Sequence, residues 1–120
     1  MIEPAANRRI KLVVTIADRG KGQRIRDACN KVHNAFHLCF MGQGTAPSRI
    51  LEYLGLANSQ KDIIFSIVPE ALASEVLERL GRELELDKKG GGIAFSIPIT
   101  SVGGQTTLRM ISGIDYVEED

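Results

Sequence analysis

Three glycine clusters contain the residue types that could bind a small anion. They are Gly20-Lys21-Gly22, Gly42-Gln43-Gly44 and Gly90-Gly91-Gly92, and Lys88 and Lys89 directly precede the third cluster. Glycine has no Cβ, so the backbone N–H groups of such segments can approach a ligand closely, and neighbouring ammonium groups add positive charge. From these residues alone, the third cluster is either an anion site or a tight turn with solvated lysines.

The position of each cluster in the chain limits which anion-binding motifs it can form. Gly20–Gly22 follows a predicted strand and precedes a predicted helix, as phosphate-binding loops do, but it lacks the third glycine of the dinucleotide motif and the Gly-Lys-Ser/Thr of a P-loop. It is therefore a helix-start turn or a simple anion site. Gly90–Gly92 precedes a strand, which excludes both standard nucleotide motifs, and Gly42–Gly44 allows close backbone approach at the end of a strand.

The sequence contains no catalytic constellation. No serine or cysteine nucleophile has a base nearby in the sequence, and the paired carboxylates lie on predicted solvated surfaces. His33 and His37 are four residues apart, but a helix end and a strand start lie between them, so they do not share one helical face. We therefore predict a protein that is not an enzyme, with no catalytic residues and no metal ligands.

Composition limits the class of protein. The chain has 120 residues, 43% of them hydrophobic, with fifteen basic and fifteen acidic side chains. Balanced charge gives no global reason to expect nucleic acid as a partner. No apolar run reaches the roughly 18 residues of a membrane span, and two cysteines do not make a disulfide framework. We expect one domain over residues 1–120, with flexible tails at 1–8 and 114–120, in a soluble cytoplasmic protein with reduced thiols.

Hydrophobic periodicity predicts two successive strand–helix–strand units. The predicted strands are rich in β-branched residues, and the predicted helices have one apolar stripe each. Asp18 is a plausible cap of the first helix. The strands are Ile10–Ala17, Ala35–Met41, Lys61–Val68 and Ile93–Ile99, the helices begin at Gln23 and Pro69, and Thr106–Ile111 is a candidate short strand.

This order of elements indicates an α+β ferredoxin-like βαββαβ sandwich, an antiparallel sheet with two helices on one face. Pro98 places the end of the last strand at a sheet edge or bulge. The sheet face opposite the helices is too apolar to be solvated, so self-association is expected to cover it. Its predicted members are Val13, Thr15, Cys39, Met41, Ile64, Ser66, Ala94 and Ser96.

A long connection, from Gly42 to Gln60, joins the two units. Connections in compact domains are typically about 4–6 residues, and longer ones are often functional. Ser48 is placed to cap a short helical turn from Arg49 to Leu54. We expect order at Arg49–Leu56 and mobility, if any, around Gln43–Pro47.

The chain resembles the PII nitrogen-regulatory signalling proteins over roughly Ile10 to Gly113. The resemblance consists of the tandem units, the long loop after a Gly-x-Gly (the T-loop of that family) and the glycine-rich turn before the last main strand (its B-loop). The run Gly90-Gly91-Gly92-Ile93-Ala94-Phe95 is similar to the family's Gly-Asp-Gly-Lys-Ile-Phe. Ile93 stands where the family has a phosphate-binding lysine.

The resemblance implies a homotrimer with its sheets at the centre and an effector, ATP, ADP or AMP, in clefts between subunits. It also implies regulation of a membrane transport protein or a nitrogen-metabolism enzyme through the loop at 43–60, where Arg49, Glu52 and Tyr53 would contact the partner. The implied nucleotide-binding residues are Gly42, Gln43, Gly44, Thr45, Lys88, Lys89, Gly90, Gly91, Gly92 and Arg109.

An alternative of a different class uses the same fold. Trimeric metal-tolerance or ion-binding proteins of the CutA type would need a cluster of soft ligands. In this chain that cluster would be drawn from Cys29, Cys39, His33 and His37.

Overall fold

The computed structural model describes residues 9–44, 48–53 and 60–112. The predicted tails, residues 1–8 and 114–120, lie outside the described residues. The predicted order of strands and main helices is confirmed, the helical turn predicted at Arg49–Leu54 is a short helix whose described residues are Ser48–Tyr53, and one helix is added near the end of the chain. The elements are β1 (Ile10–Asp18), α1 (Gly22–Asn30), β2 (Phe36–Gly42), α2 (Ser48–Tyr53), β3 (Lys61–Pro69), α3 (Glu70–Glu83), β4 (Ile93–Ile99) and α4 (Gln105–Ser112).

The four strands form one antiparallel sheet in the order β2-β3-β1-β4. This is the ferredoxin-like arrangement predicted from the two units. β1 pairs with β3 from Ile10↔Pro69 to Asp18↔Lys61, and with β4 from Ile10↔Ile99 to Ile16↔Ile93. β4 pairs only with β1 in the sheet order, so Pro98 lies on an edge strand as expected, where its missing N–H interrupts no interior ladder.

Helices α1 and α3 pack on one face of this sheet and form the core. Each helix buries a stripe at helical spacing, Ile25, Ala28 and Cys29 on α1 and Ala73, Val76 and Leu80 on α3. They pack against Val13, Ala17, Ile64 and Val68 of the sheet. Burying each large aliphatic side chain contributes about 1.5–3 kcal/mol relative to exposure, so these two stripes fix the helices on the sheet.

The opposite face of the sheet, which we call the open face, is formed by three rows of four apolar residues. Directly opposed residues on neighbouring strands point to the same side. Five of them expose 41% to 45% of their surface, and Phe40 and Phe65 make an edge-to-face contact with ring centroids 4.8 Å apart. The rows are Phe36-Ile67-Leu12-Ile97, Leu38-Phe65-Val14-Phe95 and Phe40-Ile63-Ile16-Ile93.

The prediction of which residues form this face was wrong. Val13, Thr15, Ile64 and Ser66 are at most 1% exposed, and they lie with Ala94 and Ser96 on the side covered by α1 and α3. The helices pack on the side that carries the smaller residues, which allow close approach. The larger residues therefore form the open face, which is more apolar than predicted.

The segment at 105–112 is a helix, so the candidate strand Thr106–Ile111 was wrong. Gly104 adopts a left-handed conformation (φ 95°) directly before α4, and its carbonyl accepts the N–H of Leu108 at 3.1 Å. Leu108 and Ile111 are half-buried at i, i+3 spacing, whereas Met110 is 56% exposed. α4 packs against β3. None of the helices in the described parts of the chain is long and apolar enough to cross a membrane.

Candidate ligand site

All three glycine clusters lie at one end of the sheet. Asp18 at the end of β1 opposes Lys61 at the start of β3, and Lys61 opposes Gly42 at the end of β2. Ile93 at the start of β4 opposes Ile16 near the same end. The β1–α1 turn, both ends of the loop at 43–60 and the turn at Lys88–Gly92 therefore share this end, which we call the loop end of the sheet.

The first glycine cluster already holds an anion, the carboxylate of Asp62. Its Oδ2 accepts the backbone N–H of Gly20 at 2.9 Å and of Gly22 at 3.1 Å, and Arg19 Nε lies 3.5 Å from Oδ1. The N-terminus of a helix favours negative charge because its first N–H groups have no partner within the helix. Here a side chain from β3 supplies that charge, so the cluster is a helix-start turn with an internal ligand.

Asp18 does not cap α1, contrary to the prediction. The residue before the helix is Lys21, and no side-chain cap bond is made from it. Asp18 instead pairs with Lys61, whose Nζ lies 3.1 Å from Oδ1 and whose side chain is only 3% exposed. A buried ammonium requires such a partner. The β1–α1 turn is further joined to the loop by the N–H of Arg19, which donates to the carbonyl of Gln60 at 3.3 Å.

Gly42 and Gln43 line a polar pocket of about 380 Å³ with Arg19, Met41 and Gln60. Among the described residues that line it, Arg19 is the one charged side chain, and it is paired with Asp62. Sequence reasoning missed Arg19, Gln60 and Asp62. The available signal was the pair of charges, Lys61 and Asp62, at the start of an otherwise apolar strand directly after the loop. Gly44 is described and lies outside this pocket, whereas the predicted Thr45 lies outside the described residues.

Backbone packing accounts for the third glycine cluster. Gly90 and Gly92 have φ values of 94° and 99°, which glycine adopts without steric cost. A Cβ on Gly91 would meet the carbonyl oxygen of Glu85, and one on Gly92 the carbonyl oxygen of Ile16. The turn is closed by the N–H of Gly91, which donates to the carbonyl of Lys88 at 3.1 Å. The interpretation as a tight turn therefore explains these glycines without a ligand.

The same turn forms one side of a pocket of about 160 Å³. It is lined by Tyr53, Leu86, Asp87, Lys88, Lys89 and Gly92. Tyr53, expected to contact a partner protein, thus lies beside the predicted nucleotide-binding lysines. Lys88 pairs with Glu85 at 3.1 Å. Arg109, on α4, is not among the residues that line this pocket, and Arg49 is exposed on α2. The side chain of Glu52 lies outside the described part of the chain.

The two halves of the predicted site are separated within one chain. β2 and β4 are the two edge strands, so Gly42 and Gly92 lie three strand spacings apart, about 14 Å. A single phosphate group cannot contact both. The pocket beside Lys88 and Lys89, at about 160 Å³, is smaller than typical small-molecule sites of about 300–1,000 Å³, and the pocket of about 380 Å³ beside Gly42 is near the lower end of that range.

The residues of the alternative metal cluster do not come together. Within residues 9–44, 48–53 and 60–112, no three His, Cys, Asp or Glu side chains are placed to hold a metal ion. Cys29 is buried, and burial raises the pKa of its thiol, opposed in part by a hydrogen bond with Ser66. Cys39 is exposed. Both ring nitrogens of His37 are engaged, Nδ1 with Ser66 Oγ and Nε2 with Asn30 Oδ1, each at 2.8 Å.

Comparison with known proteins identifies the fold. No protein-family model and no curated protein matches this sequence. Among solved structures, the B. subtilis GlnK–ATP complex is similar with a TM-score of 0.56 and 16% identity over 79% of this chain and 85% of that chain. Arabidopsis thaliana PII bound to citrate is similar with a TM-score of 0.57 and 15% identity, over 77% and 78% of the two chains.

A third similar structure is much longer than this chain. It is a Bacillus cereus protein related to NIF3, with a TM-score of 0.55 and 16% identity over 80% of this chain, which spans only 26% of that protein. At these identities the likeness defines the fold alone. The chain has a divergent PII-like fold, so the resemblance noted in its sequence is confirmed at that level.

Proposed function

We propose that this chain is a PII-like signal-transduction protein that binds a small anionic effector between subunits and regulates a partner protein through the loop at 43–60. One observation carries the proposal. The sheet register brings both ends of that loop and the Lys88–Gly92 turn to the same end of a PII-like fold. A ligand at this end is in a position to bias the conformation of the loop.

The first element of the proposal is a homotrimer of this chain with the open face at its centre. Five of the twelve apolar residues in its three rows expose 41% to 45% of their surface, and contiguous exposed apolar surface is typical of an interaction site. Such a face requires a cover of similar chemistry, and copies of the same face related by rotation supply one. The edge strands β2 and β4 of neighbouring copies would then lie side by side.

The second element is the cleft between copies. Gly42–Thr45 of one subunit would face Lys88–Gly92 of the next, so the two pockets that are about 14 Å apart within a chain would form opposite walls of one site. The effector class we propose is an adenine nucleotide, supported by the fold shared with the B. subtilis GlnK solved as an ATP complex. Arg109 would contribute only if α4 reaches the cleft.

The third element is the output. α2 exposes Arg49, Ile50 and Tyr53, a mixed charged and apolar surface suited to a partner protein. The partner we propose is a membrane transport protein or a nitrogen-metabolism enzyme, and the chain would act in the cytoplasm without catalysis. A ligand can shift the loop only if it binds two loop conformations with different affinity. Tyr53 lines the pocket of Lys88 and Lys89, so a loop conformation that moves Tyr53 away would change that pocket and with it the affinity for a ligand.

Calorimetric titration of the purified chain with ATP, ADP and AMP tests this proposal. We expect saturable heat from at least one nucleotide. Lys89→Ala should weaken binding about 10- to 150-fold, the equivalent of one charge-assisted hydrogen bond. Lys31→Ala is the matched control. Lys31 is an exposed lysine that follows the C-terminus of α1, whereas the loop end of the sheet lies at the N-terminus of that helix. The absence of heat from all three nucleotides would refute the nucleotide part of the proposal.

A further inference from the structure

The charges around the Lys88–Gly92 turn cancel. Lys88 and Lys89 are its two cations, and Glu85 and Asp87 are its two anions. Lys88 Nζ is held by Glu85 at 3.1 Å, and Asp87 lines the same pocket as both lysines. Lys89 has no ion-pair partner among the described residues. This half of the proposed cleft therefore offers one uncommitted cation and no net positive charge.

The described lining of the other pocket also has its charge paired. Among the described residues around Gly42, Gln43 and Gln60, the one charged side chain is Arg19, whose Nε lies 3.5 Å from Asp62. Lys61, which follows Gln60, is paired with Asp18. Arg19 and Lys61 therefore hold the β1–α1 turn and the end of the loop together, whereas Lys21 and Arg26 do not line this pocket.

Two N–H groups at the start of α1 already have an anionic acceptor. Those of Gly20 and Gly22 donate to Asp62, whose side chain is 17% exposed and lines a pocket of about 220 Å³ with Gln23 and Arg26. An incoming phosphate would have to displace a carboxylate that belongs to the sheet. It would also meet like-charge repulsion from that carboxylate.

From this distribution of charge we infer that the cleft selects an effector of low charge, a nucleoside monophosphate over the di- and triphosphate. The inference rests on the proposed function and specifies its ligand. Each phosphoryl group moved from water into a cleft must recover its lost hydration from cations and N–H donors. Lys89 is the one lysine of this turn without an ion pair among the described residues, so it can offset the charge of one phosphate group. The two further phosphoryl groups of ATP would meet Asp87 and the ion pair of Lys88 with Glu85.

The test is a comparison of dissociation constants for AMP, ADP and ATP on the full chain, first without divalent metal and then with Mg²⁺. We expect AMP to bind most tightly under both conditions and ATP most weakly. Equal affinities, or tighter binding of ATP under either condition, would overturn the inference and leave the proposed function standing. Failure of all three nucleotides to bind would instead refute the nucleotide part of the proposed function.

A variant of the turn separates charge selection from shape. Asp87→Asn removes one negative charge from the pocket with little change in volume. It should improve ATP relative to AMP by about two- to fivefold, the size of one exposed charge interaction. Asp27→Asn on the outer surface of α1 is the control and should leave the ratio unchanged. An unchanged ratio in Asp87→Asn would show that shape, not charge, sets the preference.

Discussion

At the scale of single residues, Asp62 is the side chain with the most consequences. It is the second residue of β3, directly after the loop at 43–60 and Lys61. Its carboxylate accepts hydrogen bonds from the N–H groups of Gly20 and Gly22 at the start of α1. A Cβ on Gly22 would lie 3.3 Å from its Oδ2, so a side chain at that position would crowd the carboxylate. One residue therefore joins the end of the loop, the β1–α1 turn and the first helix.

Replacement of Asp62 by alanine should lower the free energy of unfolding by about 1–3 kcal/mol, because two N–H groups, one of them part-buried, lose their acceptor. The free energy of unfolding of Asp62→Asn should fall between those of Asp62→Ala and the parent, since an amide oxygen still accepts hydrogen bonds but carries no charge. Urea denaturation measures both. Asp27→Ala, on the exposed side of α1, is the control and should change stability by less than about 0.5 kcal/mol. Equal losses in the alanine variants would contradict this role.

Both histidines make stability depend on pH in the same direction. Burial lowers the pKa of His33, and burial followed by the charge of Arg26 lowers the pKa of His37, from the ordinary value of 6.5. The unfolded chain therefore binds more protons than the folded chain just below pH 6.5, which favours unfolding there. Stability should be constant above that pH and should fall as the pH drops through the folded pKa values.

Denaturation curves between pH 7.5 and about 5 measure this loss, above the range in which most carboxylates titrate. His37→Gln should reduce the slope, because glutamine does not titrate. His33 should account for what remains. Stability that is flat or rising on acidification through this window would show that the histidines are not held neutral by the fold.

At the scale of elements, the Lys88–Gly92 turn depends on its backbone more than on its side chains. Gly92→Ala should lower the free energy of unfolding by at least about 2 kcal/mol, because alanine resists a φ of 99° and its Cβ would meet the carbonyl oxygen of Ile16. Gly81→Ala is the control. Gly81 lies inside α3 with open space around it, and alanine there should stabilise by about 0.5–1 kcal/mol.

Thermal unfolding of the two glycine variants gives the comparison directly. The result expected is a lower transition temperature for Gly92→Ala and a higher one for Gly81→Ala. If both substitutions had the same small effect, the turn would tolerate a side chain, and its glycines would have to be explained by a ligand instead.

The elements that periodicity predicts well are those whose pattern is local. β4 has the predicted bounds, and the buried stripes of α1 and α3 follow from 3.6-residue spacing. The strand prediction at 106–111 was wrong because Leu108 and Met110 alternate as in a strand, whereas Leu108 and Ile111 form the half-buried stripe of a helix. The helix also depends on its contact with β3, which the local pattern of residues does not reveal.

The candidate site was predictable in part for the same reason. Glycine clusters and lysines are visible in a sequence, and three of these segments do share one end of the sheet. The role of Asp62 was not predictable, because its bonds to Gly20 and Gly22 span about forty residues. Strand order, which separates Gly42 from Gly92, is likewise set by tertiary packing.

At the scale of the whole molecule, the open face is the feature on which the proposed trimer depends. Alternation along each strand predicted an uncovered apolar face but could not decide which alternate set faces the helices. The structure places Phe36, Leu38 and Phe40 on it and His37 and Cys39 on the other side. The proposed trimer therefore depends on large side chains, not on the small ones first expected.

Leu38→Asp should disrupt the proposed trimer, because it places a charge in the middle row of the open face. Light scattering should then report a smaller species or aggregates. Ile50→Asp is the control, since Ile50 is an exposed apolar residue of α2 and is not part of the three rows of the open face. It should keep the parent mass. A parent chain that is a stable monomer, or an unchanged mass in Leu38→Asp, would exclude an interface on this face.

The pairing of Gly42 with Lys61 has a further consequence for how such a protein can evolve. The segment between them leaves the sheet and returns to it at neighbouring positions, and Lys61 and Asp62 are fixed by ion pairs to the β1–α1 turn. Lengthening a closed loop costs only about 0.6 kcal/mol for each doubling. The loop at 43–60 can therefore be replaced while the positions of its two ends stay fixed. Under the proposed function, a new loop would direct the same fold to a new target protein.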